Sequence, residues 1–336
     1  MIAKHRIVHL ASLLVGLLLA AVHVNAQDDQ AQTVLNQARA ALGTANLKSL
    51  SVSLTERRTL QGPQGQVHEM KNGLEFSFLL PDKSLKTTTL SPPPGGSATA
   101  KITEVLNGDQ HWMSHSMVLD ENAPRLGPTS IAAPGVGAGG PFGGTAMIAS
   151  GGRTASGART TGGPSKLQAA MKAAMLQERR AEFAHYLLAF LLTGPAEFPL
   201  EWSYAGKGEA DGFAVDVIEV KGPDDFAAQL SLDEKTHLPR LLSYEGQGGE
   251  IGFAIAAEPA PQGEATPSHV FSGEFSSSGA TAKMQMHFAD YRSVNGAQFP
   301  HRLTITADGR TEAEWEGFTW QPNANLSPEQ FQPHKK

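Results

Sequence analysis

The sequence predicts a mainly β, α+β protein: an antiparallel sheet with one buried face, accompanied by two helices. Three observations carry that prediction. Apolar and polar residues alternate over many short segments, as at Leu74, Phe76, Phe78 and Leu80, which is the period of a strand with one wet face. Asn-Gly and Asp-Gly pairs recur along the chain, at Asn72-Gly73, Asn107-Gly108, Asp211-Gly212, Asn295-Gly296 and Asp308-Gly309. Such pairs tolerate the positive φ of tight hairpins. Helical patterning is confined to two places, too few for the crossovers of a parallel sheet, so the strands are expected to form a meander.

The elements follow in order. Lys4 and Arg6 precede an apolar run over residues 10–22, and Val24-Asn25-Ala26 then supplies a cleavage-like site. Residues 1–26 are expected to be a cleaved signal peptide, which makes the protein exported and periplasmic. A retained anchor is the alternative, but the run is short for a bilayer core of roughly 30 Å. Residues 27–336 are expected to form one domain. Within it, residues 28–42 read as an amphipathic helix, with Val34, Leu35, Ala38, Ala41 and Leu42 on one face and Gly43 at its end. From Leu50 the period becomes two. Val52 and Leu54 alternate with polar neighbours, as do Phe213, Val215 and Val217, then Met284, Met286 and Phe288, then Leu303 and Ile305.

Two segments break the alternation. Residues 120–165 are rich in Gly, Pro, Ala and Ser and nearly free of large apolar side chains after Ile131. They are expected to be a flexible insertion, either a plain linker or a lid. Residues 166–192 form a helical pattern that Gly194-Pro195 stops. Its second half is apolar nearly all round and has to be enclosed. Phe183, Leu187, Phe190 and Leu191 make a stripe suited to the concave face of a curved sheet, while Leu188 and Leu192 need a second neighbour. Such a helix is either permanent core or a plug that moves for a ligand.

Composition excludes much chemistry. The 336 residues include no Cys, and 27 basic residues face 33 acidic ones. A disulfide framework, thiolate metal sites and lipidation at Cys are therefore excluded, and nucleic acid is not expected as a partner. No nucleophile elbow, phosphate loop or His-Glu-x-x-His pattern occurs. His111 and His115 are four apart but fall in a strand pattern with no third ligand, so neither a metal nor any cofactor is expected. Glu312, Glu314 and Glu316 alternate with Ala313 and Trp315 and read as the wet side of a strand. No enzyme activity is expected. What remains is a surplus of apolar surface, with Met171, Met175, Met284 and Met286 adding side chains that repack around varied shapes.

Several ordered segments resemble the LolA/LolB-like periplasmic lipoprotein carriers and the related outer-membrane lipoprotein-sorting proteins. They are Leu47-Lys48-Ser49-Leu50-Ser51-Val52; Gly73-Leu74-Glu75-Phe76 running to Leu80-Pro81-Asp82-Lys83; and Leu106-Asn107-Gly108-Asp109-Gln110-His111-Trp112. Further along come Leu232-Asp233-Glu234-Lys235-Thr236-His237-Leu238-Pro239, Asp290-Tyr291-Arg292-Ser293-Val294-Asn295-Gly296 with Phe299-Pro300, and Asn323-Ala324-Asn325-Leu326. The resemblance implies an incomplete antiparallel β-barrel with helices across its opening, around an apolar cavity for acyl chains. The carriers have a basic residue before the strand-ending proline where this chain has Leu80, and residues 120–165 have no counterpart in them. The candidate cavity residues are Leu74, Phe76, Phe78, Trp112, Phe183, Leu187, Phe190, Leu191, Met284, Met286, Phe288 and Trp315. The expected partner is a lipid or an acylated protein. The other reading is a scaffold module of the envelope with a filled core and a protein partner.

Overall fold

A computed structural model describes residues 28–61, 67–91, 98–119, 166–247 and 281–333. The expected leader and the Gly/Pro-rich stretch at 120–165 lie outside the described residues. Residues 28–42 form α1. Five strands follow: β1 (Ser49–Gln61), β2 (Val67–Leu79), β3 (Lys83–Leu90), β4 (Ala98–Asn107) and β5 (Gln110–Leu119). Then come α2 (Lys166–Leu191) and seven strands: β6 (Glu201–Ala210), β7 (Phe213–Lys221), β8 (Ala227–Asp233), β9 (Pro239–Gln247), β10 (Thr281–Val294), β11 (Ala297–Ala307) and β12 (Arg310–Pro322). A short 3-10 turn, Pro328–Phe331, follows the last strand.

All twelve strands belong to one sheet, in the order β5-β4-β3-β2-β1-β12-β11-β10-β9-β8-β7-β6. Every pairing is antiparallel. Each half of the chain is a meander, and the halves join where β1 pairs with β12. Among the described residues the free edges are β5 and β6, so the sheet is an open, curled half-barrel. This topology dictates where α2 goes. The chain must travel from one edge to the other, and a helix of 26 residues, roughly 39 Å long, makes that crossing over the concave face. Among the described residues no helix is long and apolar enough to cross a membrane.

Turn chemistry sets the registers. Asp211-Gly212 (φ 52 and 79), Asn295-Gly296 (51 and 86) and Asp308-Gly309 (48 and 78) are two-residue hairpin loops with both residues left-handed, the geometry that matches strand twist. The β4–β5 loop is Gly108-Asp109, because Asn107 already pairs with Gln110. The Asn72-Gly73 expectation fails. β1 and β2 pair without a break from Ser49↔Leu79 to Gln61↔Val67, and Asn72-Gly73 lies inside that ladder. Asn72 is there because its side chain donates to buried Glu56, at 3.2 Å.

Both helices end in left-handed residues. The Gly43 N–H (φ 68) donates to the Arg39 carbonyl at 3.0 Å, an αL cap. A Cβ at Gly43 would stand 2.7 Å from the Gly296 carbonyl, so glycine is required twice over. Beyond α2 the left-handed residue is Leu192 (φ 54), ahead of the Gly194-Pro195 stop read from the sequence. Arg39 of α1 donates two hydrogen bonds, 3.0 and 2.9 Å, to the Leu192 carbonyl. The two helices are thereby clasped at the β6 side of the opening. At the closing end, the Asn323 side chain accepts from the Lys48 N–H at 2.9 Å, and Asn107 donates to the Phe331 carbonyl at 3.0 Å.

Candidate functional site

Alternation along β1 turns Leu50, Val52 and Leu54 toward the concave side, and the ladder sets Phe76 and Phe78 of β2 beside them. The same rule brings in Met284, Met286 and Phe288 of β10 and Leu303 and Ile305 of β11. Onto this face α2 lays Phe183, Leu187, Leu188, Phe190 and Leu191, all buried. The contacts are aromatic at one end: Phe78 to Phe183 at 5.7 Å between centroids, Phe76 to Tyr186 at 4.8 Å, and Phe190 to Trp320 at 5.1 Å. Trp315 stands 5.7 Å from Phe76 and is fully enclosed.

Eleven of the twelve candidate residues therefore meet in one cluster: Leu74, Phe76, Phe78, Phe183, Leu187, Phe190, Leu191, Met284, Met286, Phe288 and Trp315. Trp112 does not join them. It sits opposite Val105 and is only half-buried, whereas its neighbour His111, opposite Leu106, lines the concave side. Among the described residues, the space under the sheet that the family resemblance implies as a cavity is taken up by α2.

Sequence reasoning missed the charges in this interior. Lys86 on β3 and Glu104 on β4 are ladder partners facing α2. Lys86 Nζ lies 2.9 Å from Glu182 and 3.5 Å from Glu104; Arg179 Nη1 lies 2.6 Å from Glu182 and 3.1 Å from Glu104. All four side chains are buried, and the Tyr186 hydroxyl donates to Glu182 at 3.1 Å. Burial alone would raise the Glu182 carboxyl, but Lys86 and Arg179 prevail and hold it at about 2. A second cluster lies across the sheet. Buried Glu56 accepts from Arg58 at 3.0 Å, Asn72 at 3.2 Å and the Trp315 indole at 3.2 Å. Burial pushes Glu56 upward, and Arg58 together with the Asn72 and Trp315 hydrogen bonds more than cancels it, leaving the carboxyl below its usual range.

The quartet borders a cleft between α2 and strands β2–β5. Its walls are Phe76, Phe78, Leu106 and Phe183 on the apolar side and Lys86, Glu104, His111, Arg179 and Glu182 on the polar side. Atom-free space amounts to ≈ 330 Å³ when the solvent at its mouth is counted, but only ≈ 20 Å³ admits a water-sized body. That is room for about one water. His115, the other histidine of the β5 pair, is exposed. Among the described residues no group of three or more His, Cys, Asp or Glu is placed to hold a metal ion.

Two interior histidines make stability depend on pH. Burial pushes His185, stacked 3.9 Å from Tyr244, down to about 3; burial and then Arg179 push His111 to about 4. Both are neutral in the fold at pH 7. Unfolded, they take up protons below about 6.5, so their contribution is complete above that value and falls as pH drops toward 4. Each histidine removes about 1.4 kcal/mol per pH unit in its window, and Glu182 adds to the loss below its unfolded value near 4.5. Urea unfolding between pH 7 and 4.5 is expected to show this decline, with His185→Phe roughly halving its slope. Flat stability across that range would contradict the placement of both rings.

No protein-family model matches this sequence, and no curated protein matches it. Solved structures similar to it include a domain assigned to outer-membrane lipoprotein sorting from Vibrio parahaemolyticus, 12% identical with a TM-score of 0.43, the match covering 90% of this chain and 97% of that one. A LolA superfamily protein from Nitrosomonas europaea is 10% identical with a TM-score of 0.42, over 90% of this chain and 97% of that one. At such values the half-barrel with its crossing helix stands on the strand order and the packing of this chain itself.

Proposed function

We propose that this protein is a periplasmic carrier or sensor for acyl chains, taking them onto the concave face in the place that α2 occupies in the closed form. The observation that supports this reading is the cover of that face. From β2 through β1 and β12 round to β7 the sheet contributes a large apolar surface to the core, and apart from α1 one helix end covers it. Magnitudes make the exchange feasible. Burying five large α2 side chains is worth roughly 10 kcal/mol, and burying a sixteen-carbon acyl chain roughly 12 kcal/mol. The closed and loaded forms are then close in free energy, as reversible carriage of a multiply acylated guest requires. α2 is also held partly by ion pairs, whose members regain water on leaving, so their net contribution to closure is small.

The narrow cleft favours a second reading, an envelope scaffold module whose interior is simply core. One set of measurements separates the two. Protein from a periplasmic fraction is extracted with organic solvent for mass spectrometry, and delipidated protein is titrated with a fluorescent fatty-acyl probe. The carrier reading expects co-purified lipid and saturable binding. It also expects Leu187→Ala, which weakens the plug, to raise probe affinity about tenfold, since only about 1.4 kcal/mol of a typical 2–5 kcal/mol loss need fall on the closed form. A folded protein with no lipid and no probe binding overturns it in favour of the scaffold.

A further inference from the structure

Two different chemistries fasten α2. At its C-terminal end Arg39 of α1 donates to the Leu192 carbonyl at 3.0 and 2.9 Å, and its guanidinium stands 5.5 Å from the Trp202 ring. Neither a guanidinium nor a peptide carbonyl changes its charge in mild acid. Over residues 179–186, by contrast, the helix is seated among groups that titrate, and histidines meet it from both halves of the sheet. His111 on β5 lines the cleft with Lys86, Glu104, Arg179 and Glu182. Those four charges cancel, so a proton on His111 would enclose an excess positive charge near Arg179. His185 of α2 itself packs 3.9 Å from Tyr244 of β9 and 4.6 Å from Phe226 of the β7–β8 loop. The charged group that acts on it is Glu182, one turn earlier and already shared by Lys86 and Arg179. Seated, α2 therefore admits only the uncharged form of either ring.

We propose that α2 is an acid-responsive latch: in mild acid residues 179–186 lift from the sheet more often, turning about the Arg39–Leu192 clasp, and open the concave face of the half-barrel. Lifting returns both rings to water, where they take up protons below about 6.5, whereas the seated rings do so only near 3 and 4. The sign follows from that order. Above 6.5 protons favour neither form, and below it each ring favours the lifted helix by about tenfold per pH unit. The clasp has no such dependence, so acid loosens one end of the helix and leaves the other tied. The latch governs access to the concave face whatever guest is carried, and so stands apart from the acyl reading.

The chain has no cysteine, so a single introduced thiol reports opening at one place. Ala184→Cys puts it on the seated face of α2 and Ala313→Cys puts it in β12, both at buried positions. Labelling by dithiodipyridine, corrected for the rate of a free thiol at each pH, is followed at pH 7.5, 6.5 and 5.5 in low urea. The α2 thiol is expected to react through an opening with a weaker urea dependence than the β12 thiol, the mark of a local event. That opening is expected to become about a hundredfold more frequent from pH 7.5 to 5.5, about tenfold for each histidine. His185→Phe and His111→Leu are each expected to remove one tenfold step, and Arg39→Met to raise labelling by the same factor at every pH. Amide exchange of residues 184–188 in the unsubstituted protein gives the same comparison, because a lifted helix is only marginally stable. One common frequency and urea slope for α2 and β12 overturns the latch, since the helix then leaves only when the sheet unfolds. A local opening equally frequent at all three pH values overturns it too.

Discussion

Replacing Glu182 with leucine is expected to destabilise the folded protein by about 3–5 kcal/mol, the usual consequence of stripping one member from a buried ion pair. Glu182 is the closer of two carboxylates for both cations, at 2.9 Å from Lys86 Nζ against 3.5 Å for Glu104 and at 2.6 Å from Arg179 against 3.1 Å. Its removal leaves two buried cations sharing Glu104, and neither can reach bulk water without disturbing α2. The double variant Lys86→Met with Glu182→Leu removes one charge of each sign and leaves the Arg179–Glu104 pair at 3.1 Å. It is expected to recover most of the loss, a coupling that urea unfolding of the two singles and the double measures directly. A cost under about 1 kcal/mol for Glu182→Leu would mean that the quartet is solvated and that α2 is not seated against β3 and β4.

Trp315→Ala is expected to cost a similar 3–5 kcal/mol, for a different reason. The indole fills the middle of the interior beside Phe76 and Tyr186, at 5.7 and 6.4 Å, with no exposed surface. Truncation opens a void among β1, β2, β12 and α2 that rigid strands cannot collapse. It also takes one hydrogen bond from buried Glu56, whose other partners are Arg58 and Asn72. Trp315→Phe separates the contributions in part, because a six-membered ring stays while the donor and the pyrrole half of the indole go. It is expected to cost about 1.5–3 kcal/mol, the range for hydrogen bonds to charged groups. Denaturation midpoints for the two variants check the order. If phenylalanine is as damaging as alanine, the indole N–H and not its bulk is the larger contributor.

Much of this was legible in the residues. Alternation over Leu74 to Leu80 and over Met284 to Phe288 marked strands with a buried face, and those side chains do meet Phe183 and Leu187. The stripe on α2 was visible because helix periodicity is local. The charged quartet was hidden for a physical reason. Lys86, Glu104 and Glu182 look like surface residues one at a time, and only the ladder of β3 with β4 and the seating of α2 give them partners. Parity held a clue, since Glu56 and Arg58 continue the inward positions of Val52 and Leu54. Trp112 was misplaced for the complementary reason, because a strand's face depends on register and a one-residue difference exchanges it with His111. Asn72-Gly73 had the composition of a turn, yet a buried carboxylate on the neighbouring strand gave the asparagine a better role inside the ladder.

The seam between β1 and β12 also sets how the molecule must be born. Leu50 pairs with Pro322 and Val52 with Trp320, so the first strand waits for almost the entire chain before its second neighbour exists. Closing a loop of that length costs roughly 5 kcal/mol of chain entropy before any of those contacts repay it. Assembly of such non-local pairings is slow. Until the last strand arrives, β1 exposes a bare row of amides and carbonyls, the kind of edge on which another chain can settle. Truncation near the C-terminus would thus leave two unzipped meanders, each offering its apolar side and its unpaired rim to whatever lies nearby.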